Sequence, residues 1–153
     1  MKKYFCIFAA LLLAAALTAC GGFTHIEDTN GDDTSLCALT EETLTANGTR
    51  SLANFSSTRR KNGEVSFRAE KMSGVRSIYC FRAKDGETYT LEISSALENG
   101  NLRLFVWCDG EILQDVSTGE AQTVFIDGVS GRCEVRAAAE SAKFSVRVVR
   151  KRT

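Results

Sequence analysis

From residue 64 onward the chain alternates apolar and polar side chains in short runs divided by glycine-bearing turns, and a period of two admits little besides antiparallel β structure. Val65, Phe67 and Ala69 form one apolar row, Tyr79, Phe81 and Ala83 the next, and Tyr89, Leu91 and Ile93 a third. Leu102, Leu104 and Val106 follow, then the Val124-Phe125-Ile126 run, then Cys133, Val135 and Ala137, and last Phe144, Val146 and Val148. Each row turns one set of side chains toward a core. Between the rows stand Asp85-Gly86, Asn99-Gly100, Asp109-Gly110, Asp127-Gly128 and Ser130-Gly131, whose glycines tolerate the positive φ of tight hairpins. Proline is absent, so glycine and the Asx residues carry the turn chemistry. The expected fold is an all-β antiparallel β-sandwich, jelly-roll-like, connected as a meander or Greek key.

Upstream the pattern changes. Residues 36–60 are mixed, with a short helix expected over 40–44 capped by Thr40, and this segment needs a surface to pack on. Residues 20–35 contain Gly-Gly, Asp-Thr-Asn-Gly and Asp-Asp-Thr-Ser with no apolar period, and read as a flexible tether. The expected organisation is therefore a leader over 1–19, a tether over 20–35 and one β-sandwich domain over 36–153, a length that supports a single core.

The leader begins Met1-Lys2-Lys3, continues as an apolar helix-forming stretch over 4–19, and ends in small residues before Cys20. These are the charged, apolar and small-residue regions of a secretory signal. The apolar stretch is shorter than the roughly 20 residues that span a bilayer. Leu17-Thr18-Ala19-Cys20 matches the bacterial lipobox, and that resemblance implies lipid on Cys20, cleavage ahead of it, and extracytoplasmic display on a bacterial membrane. Acylation by more than one chain suffices for stable anchoring without a membrane helix.

The chain carries 19 basic and 19 acidic residues, and loss of Lys2 and Lys3 leaves a small acidic excess. That balance argues against nucleic acid as a partner. The acids cluster early, at Glu27, Asp28, Asp32, Asp33, Glu41 and Glu42, while Arg147, Arg150, Lys151 and Arg152 make a basic end suited to keeping a last strand solvated. Four cysteines remain beyond the leader and the lipid site, Cys37, Cys80, Cys108 and Cys133. Export permits disulfides among them, three pairings are open, and the spacing contains no close pair of the kind a structural zinc site uses.

Catalytic motifs are not found. The single histidine, His25, falls in the acidic tether, which excludes a histidine-based nucleophilic triad within the domain. There is no phosphate-binding glycine loop before a helix, no HExxH and no CxxC. No metal or cofactor is expected, and a hydrolase working with acids alone is the sole enzymatic alternative. Trp107 and Phe105 fall on the parity opposite Leu102, Leu104 and Val106, with Arg103 beside them, so all three point away from the inward row. Left open, they would form an aromatic platform for a sugar with a guanidinium donor at its edge. Covered by residues 36–60, they would be a second small core.

Residues 79–149 resemble the small jelly-roll sandwiches known as pre-peptidase C-terminal domains, and carbohydrate-binding sandwiches more broadly. The match rests on Tyr79, Phe81 and Ala83 before Gly86, on Tyr89, Leu91 and Ile93, on Gly100-Asn101-Leu102-Arg103-Leu104, and on Gly131-Arg132-Cys133-Glu134-Val135-Arg136 ahead of Phe144 to Val148. Asn101 stands where such domains often have an acid and Cys133 where they usually have an aromatic, so only the fold is implied. The expected role is a non-enzymatic, lipid-anchored binding module for carbohydrate or a cell-envelope component. The alternative is an accessory lipoprotein of an envelope complex, so the partners to seek are a membrane through lipid, a polysaccharide or an envelope protein.

Overall fold

The structure, a computed structural model, describes residues 39–151. The expectations for the leader, Cys20, His25 and Cys37 lie outside the described residues. A helix, α1 (Glu41–Thr45), is followed by β1 (Ser51–Leu52), β2 (Phe55–Lys61), β3 (Glu64–Ala83), β4 (Tyr89–Cys108), β5 (Glu111–Val116), β6 (Gln122–Ile126) and β7 (Gly131–Lys151). All strand pairs are antiparallel, in one hydrogen-bonded sheet of seven strands ordered β1-β3-β7-β4-β5, with β2 added to β3 and β6 added to β4.

The all-β sandwich is thus present, and it is built by folding one sheet upon itself. Three strands of 20, 20 and 21 residues run through both layers. The first half of β3, the second half of β7 and the first half of β4 make one layer, with β2 and β6 at its edges. The remaining halves make the other, with β1 and β5 at its edges. The apolar rows read as separate strands at 65–69 and 79–83 are two halves of β3, and Asn99-Gly100, expected as a hairpin turn, is a bend inside β4.

The crease has a local cause. Register shifts fall between Ala69 and Gly74 in β3 and between Leu97 and Asn101 in β4, and left-handed backbone occurs at Lys71, Gly74, Gly100 and Ser141. Bulges and left-handed residues raise local twist and turn a strand away from its own plane. At Gly100 glycine is required twice over. Its φ is 81°, and a Cβ there would lie 2.6 Å from both the Ser141 carbonyl oxygen and the Ala142 Cα. Elsewhere an expected turn does join strands, Asp109-Gly110 closing β4 to β5, and a turn not anticipated from sequence, Asn62-Gly63 with both φ positive, closes β2 to β3 as the primed hairpin turns require.

Folding the sheet brings Val65, Phe67, Leu91, Ile93, Phe144 and Val146 of one layer against Leu104, Val106, Val135, Ala137 and Phe81 of the other, the main core. Phe67 and Phe144 meet at 5.7 Å between ring centroids, and Phe81 and Tyr89 at 5.2 Å. Cys108 and Cys133 face each other across β4 and β7 and form a disulfide, which settles one of the open pairings. Cys80 is an exposed thiol within hydrogen-bonding reach of Ser77 Oγ at 3.0 Å.

Candidate functional site

The two outer faces of the sandwich are occupied differently. On the layer that carries β5, the outer side of the sheet is roofed by residues 39–46. Thr40 caps α1: its hydroxyl accepts from the Thr43 amide, and the Thr43 hydroxyl accepts from the Thr40 amide. This reciprocal cap holds a helix far too short to persist alone. Leu44 and Leu39 then pack on Val75, Phe105, Trp107 and Ala138, a second apolar cluster outside the main core.

Arg103, Phe105 and Trp107 do share the face that the alternation assigns them, but they do not form an open platform. Phe105 is 0% and Trp107 1% exposed, because the α1 segment lies over both rings. The expected ligand surface at these residues is corrected to a covered one. Arg103 remains at the rim, its guanidinium 5.5 Å from the Phe105 centroid and paired to Asp115 through Nε at 2.8 Å and Nη2 at 3.2 Å. That carboxylate bonds the guanidinium directly and raises Arg103 above its ordinary pKa.

Beneath the roof a charged group does the work of closing the helix end. Arg136 is fully buried, with Cζ 3.7 Å from the Trp107 ring centroid. Its Nη1 donates to the carbonyl oxygens of Leu44 at 3.0 Å and Ala46 at 2.7 Å, while Trp107 Nε1 donates to the Thr45 carbonyl at 2.9 Å. Three consecutive carbonyls at a helix end, which no intrahelical amide can satisfy, are thereby bonded by the face they cover. Buried Glu134 compensates the cation, accepting from Arg136 Nε at 2.7 Å, and its other oxygen lies 2.7 Å from Arg132 Nε. Glu134, and after it the Cys80 side chain, hold Arg132 above the ordinary arginine range.

The opposite outer face, on the layer that carries β2, has no such roof among the described residues. It presents a groove of about 380 Å³ across β2, β3, β7 and β4. Its walls repeat one pattern: Ser57-x-Arg59 on β2, Ser66-x-Arg68 on β3 and Ser145-x-Arg147 on β7. Antiparallel pairing sets Ser57 opposite Arg68 and Arg59 opposite Ser66, then Ser66 opposite Arg147 and Arg68 opposite Ser145, so serine and arginine alternate in both directions. Ser94 and Ala96 of β4 close the fourth side, opposite Arg147 and Ser145. The sequence signal for this lattice was the polar parity of two alternating rows, Ser66-x-Arg68 and Ser145-x-Arg147, which periodicity alone marks as solvated surface; Ser57-x-Arg59 lies in the mixed segment before them.

Acidic residues border the groove without lining it. Arg147 grips Glu64 through two bonds of 2.7 Å, Lys143 pairs with Glu98 at 2.8 Å, and Lys151 with Glu92 at 2.6 Å. Those partners, by direct hydrogen bonds, hold the carboxyls of Glu64, Glu98 and Glu92 below their ordinary pKa. A general acid needs the opposite shift, so these bordering carboxylates are unsuited to donating a proton at neutral pH. Arg68 is more loosely held, 3.4 Å from Glu70 and 4.0 Å from Glu98. Of the basic end expected from sequence, Arg147, Arg150 and Lys151 belong to β7, with Arg147 and Lys151 paired and Arg150 lying 4.7 Å over the Tyr89 ring, while Arg152 lies outside the described residues. Among the described residues, Phe125 is a large exposed aromatic, 68% exposed on edge strand β6. Among the described residues no cluster of metal-binding side chains occurs, and no helix is long and apolar enough to cross a membrane.

No family model matches the chain, and no curated protein sequence does. Among solved structures it is similar to a chain in the crystal structure of accessory secretory proteins 1, 2 and 3 of Streptococcus pneumoniae, at 14% identity and a TM-score of 0.33, over 67% of this chain and 95% of that one.

Proposed function

We propose that the chain is a non-enzymatic binding module, anchored to a bacterial membrane by lipid on Cys20 and displaying its sandwich outside the cytoplasm to hold a cell-envelope component. The lipobox supports the anchor. The observation that carries the binding role is the asymmetry of the two outer faces. One is roofed with a capped helix and buried polar partners, whereas the other keeps a groove lined by serine hydroxyls and guanidiniums. Concave, donor-rich surface beside a rigid sheet is where recognition is expected, because strands hold side chains at fixed spacing without an ordering cost on binding.

The test is co-sedimentation of the purified full-length protein with envelope material, comparing wild type with Ser145→Tyr, which places a ring in the groove from an exposed strand position. Retention by wild type and loss by the variant is the expected result. Equal retention, or none by either, contradicts it. Labelling with a fatty-acid analogue, lost on Cys20→Ser, checks the anchor separately.

A second reading, an accessory subunit of an envelope protein complex, is favoured by β2. All seven of its residues are exposed, and among the described residues it pairs on one side only, with β3. A free sheet edge can accept a partner's strand.

A further inference from the structure

Resting on the binding-module reading, we propose that the Ser-x-Arg groove takes an anionic polysaccharide, a chain of hydroxylated rings bearing carboxylate or phosphate groups. The charge argument is local. Three arginines line the groove and no acidic residue does, whereas Glu64 and the other bordering carboxylates stand outside it. Arg59 lines the groove and makes no ion pair within salt-bridge distance among the described residues. It is therefore a guanidinium fork ready for an oxyanion.

The spacing favours a repeating ligand over a single ion. Arg59 and Arg147 flank Ser66 on the two neighbouring strands, so their backbones are about 10 Å apart, twice the strand separation. Arg68 lies on the diagonal from Arg59, about 7–8 Å away. Successive charges on an extended polymer meet such a zigzag, and three serines sit between the cations: the Ser57 and Ser145 hydroxyls can donate to or accept from a sugar hydroxyl, while Ser66, which donates to Glu64 Oε1 at 3.3 Å, can accept from one. A protein partner is less suited, because protein interfaces need a desolvated apolar or aromatic centre, and this groove exposes hydroxyls and charges.

The experiment titrates full-length protein with a fluorescent oligogalacturonate and, separately, with a neutral malto-oligosaccharide of equal length. Oligogalacturonate is expected to bind, more weakly as salt rises, with about a 10-fold loss on Arg59→Ala from removal of one charge-assisted contact. Arg59→Glu should abolish binding, while Lys84→Ala, a distant exposed cation, should change nothing. Binding of the acidic oligomer that ignores both Arg59 substitutions overturns the proposal. Equal binding of the neutral oligomer, blocked by Ser145→Tyr, also overturns it but leaves the binding-module reading standing. Failure of both sugars together with equal envelope retention by Ser145→Tyr removes both readings.

Discussion

The two halves of β7 show what covering a sheet face demands of a sequence. In the half that shares the layer of β2, burial alternates strictly: Phe144, Val146 and Val148 are buried while Ser145 and Arg147 are exposed. In the half beneath α1 the alternation vanishes, and every residue from Cys133 to Ala139 is buried, Glu134 and Arg136 among them. The same strand is one-sided in one layer and two-sided in the other. The difference comes from Leu39, Leu44 and the three carbonyls at the helix end, which bring apolar cover and hydrogen-bond acceptors to the same place. A buried guanidinium is tolerated there because two of those carbonyls, a carboxylate and an aromatic face meet it, with only Nη2 left without a partner among the described residues.

The sharpest way to break the contrast is Arg136→Ala. It orphans Glu134 on its buried side and releases two helix-end carbonyls, so a loss of roughly 3–5 kcal/mol in chemical denaturation is expected, the range for removing one partner of a buried pair. A loss below about 1 kcal/mol would mean that the roof is not held by this network. Thr40→Ala attacks the same roof from its far end. Losing the cap should cost about 1 kcal/mol and raise the accessibility of Trp107 to a quencher.

Acid should loosen the open face. Glu64, Glu92 and Glu98 lie below the ordinary glutamate value of 4.5 because Arg147, Lys151 and Lys143 bond their ionised forms. With folded values depressed, the stabilisation is complete above the unfolded value and disappears as pH falls through the folded one. Melting temperature should therefore drop on acidification below about pH 4.5, less steeply in Arg147→Ala. A profile in Arg147→Ala identical to wild type would sink that assignment. The smallest effect belongs to Ser145→Ala, expected within about 0.5 kcal/mol of wild type because an open face has no packing to lose.

Much of this was legible before the structure. The inward rows, the Thr40 cap and the shared parity of Arg103, Phe105 and Trp107 follow from local period and chemistry. The crease was not, because Asn99-Gly100 has the composition of a hairpin turn and only contact with Ser141 and Ala142 reveals it as a bend within a strand. The roof was not legible either. Arg132, Glu134 and Arg136 alternate with the inward row of Cys133, Val135 and Ala137, and nothing local distinguishes a guanidinium that meets water from one that meets helix carbonyls. The Ser-x-Arg lattice needs three strands in register, which pairing supplies and triplets scattered over 57–147 do not.

Trp107 is the single tryptophan, so its fluorescence in the full-length protein reports directly on which face is covered. Blue-shifted emission protected from acrylamide, and unchanged by either sugar, is the result expected of an indole under α1 bonded to Thr45. Red-shifted emission that acrylamide quenches freely would place Trp107 in solvent and contradict the asymmetry of the two faces.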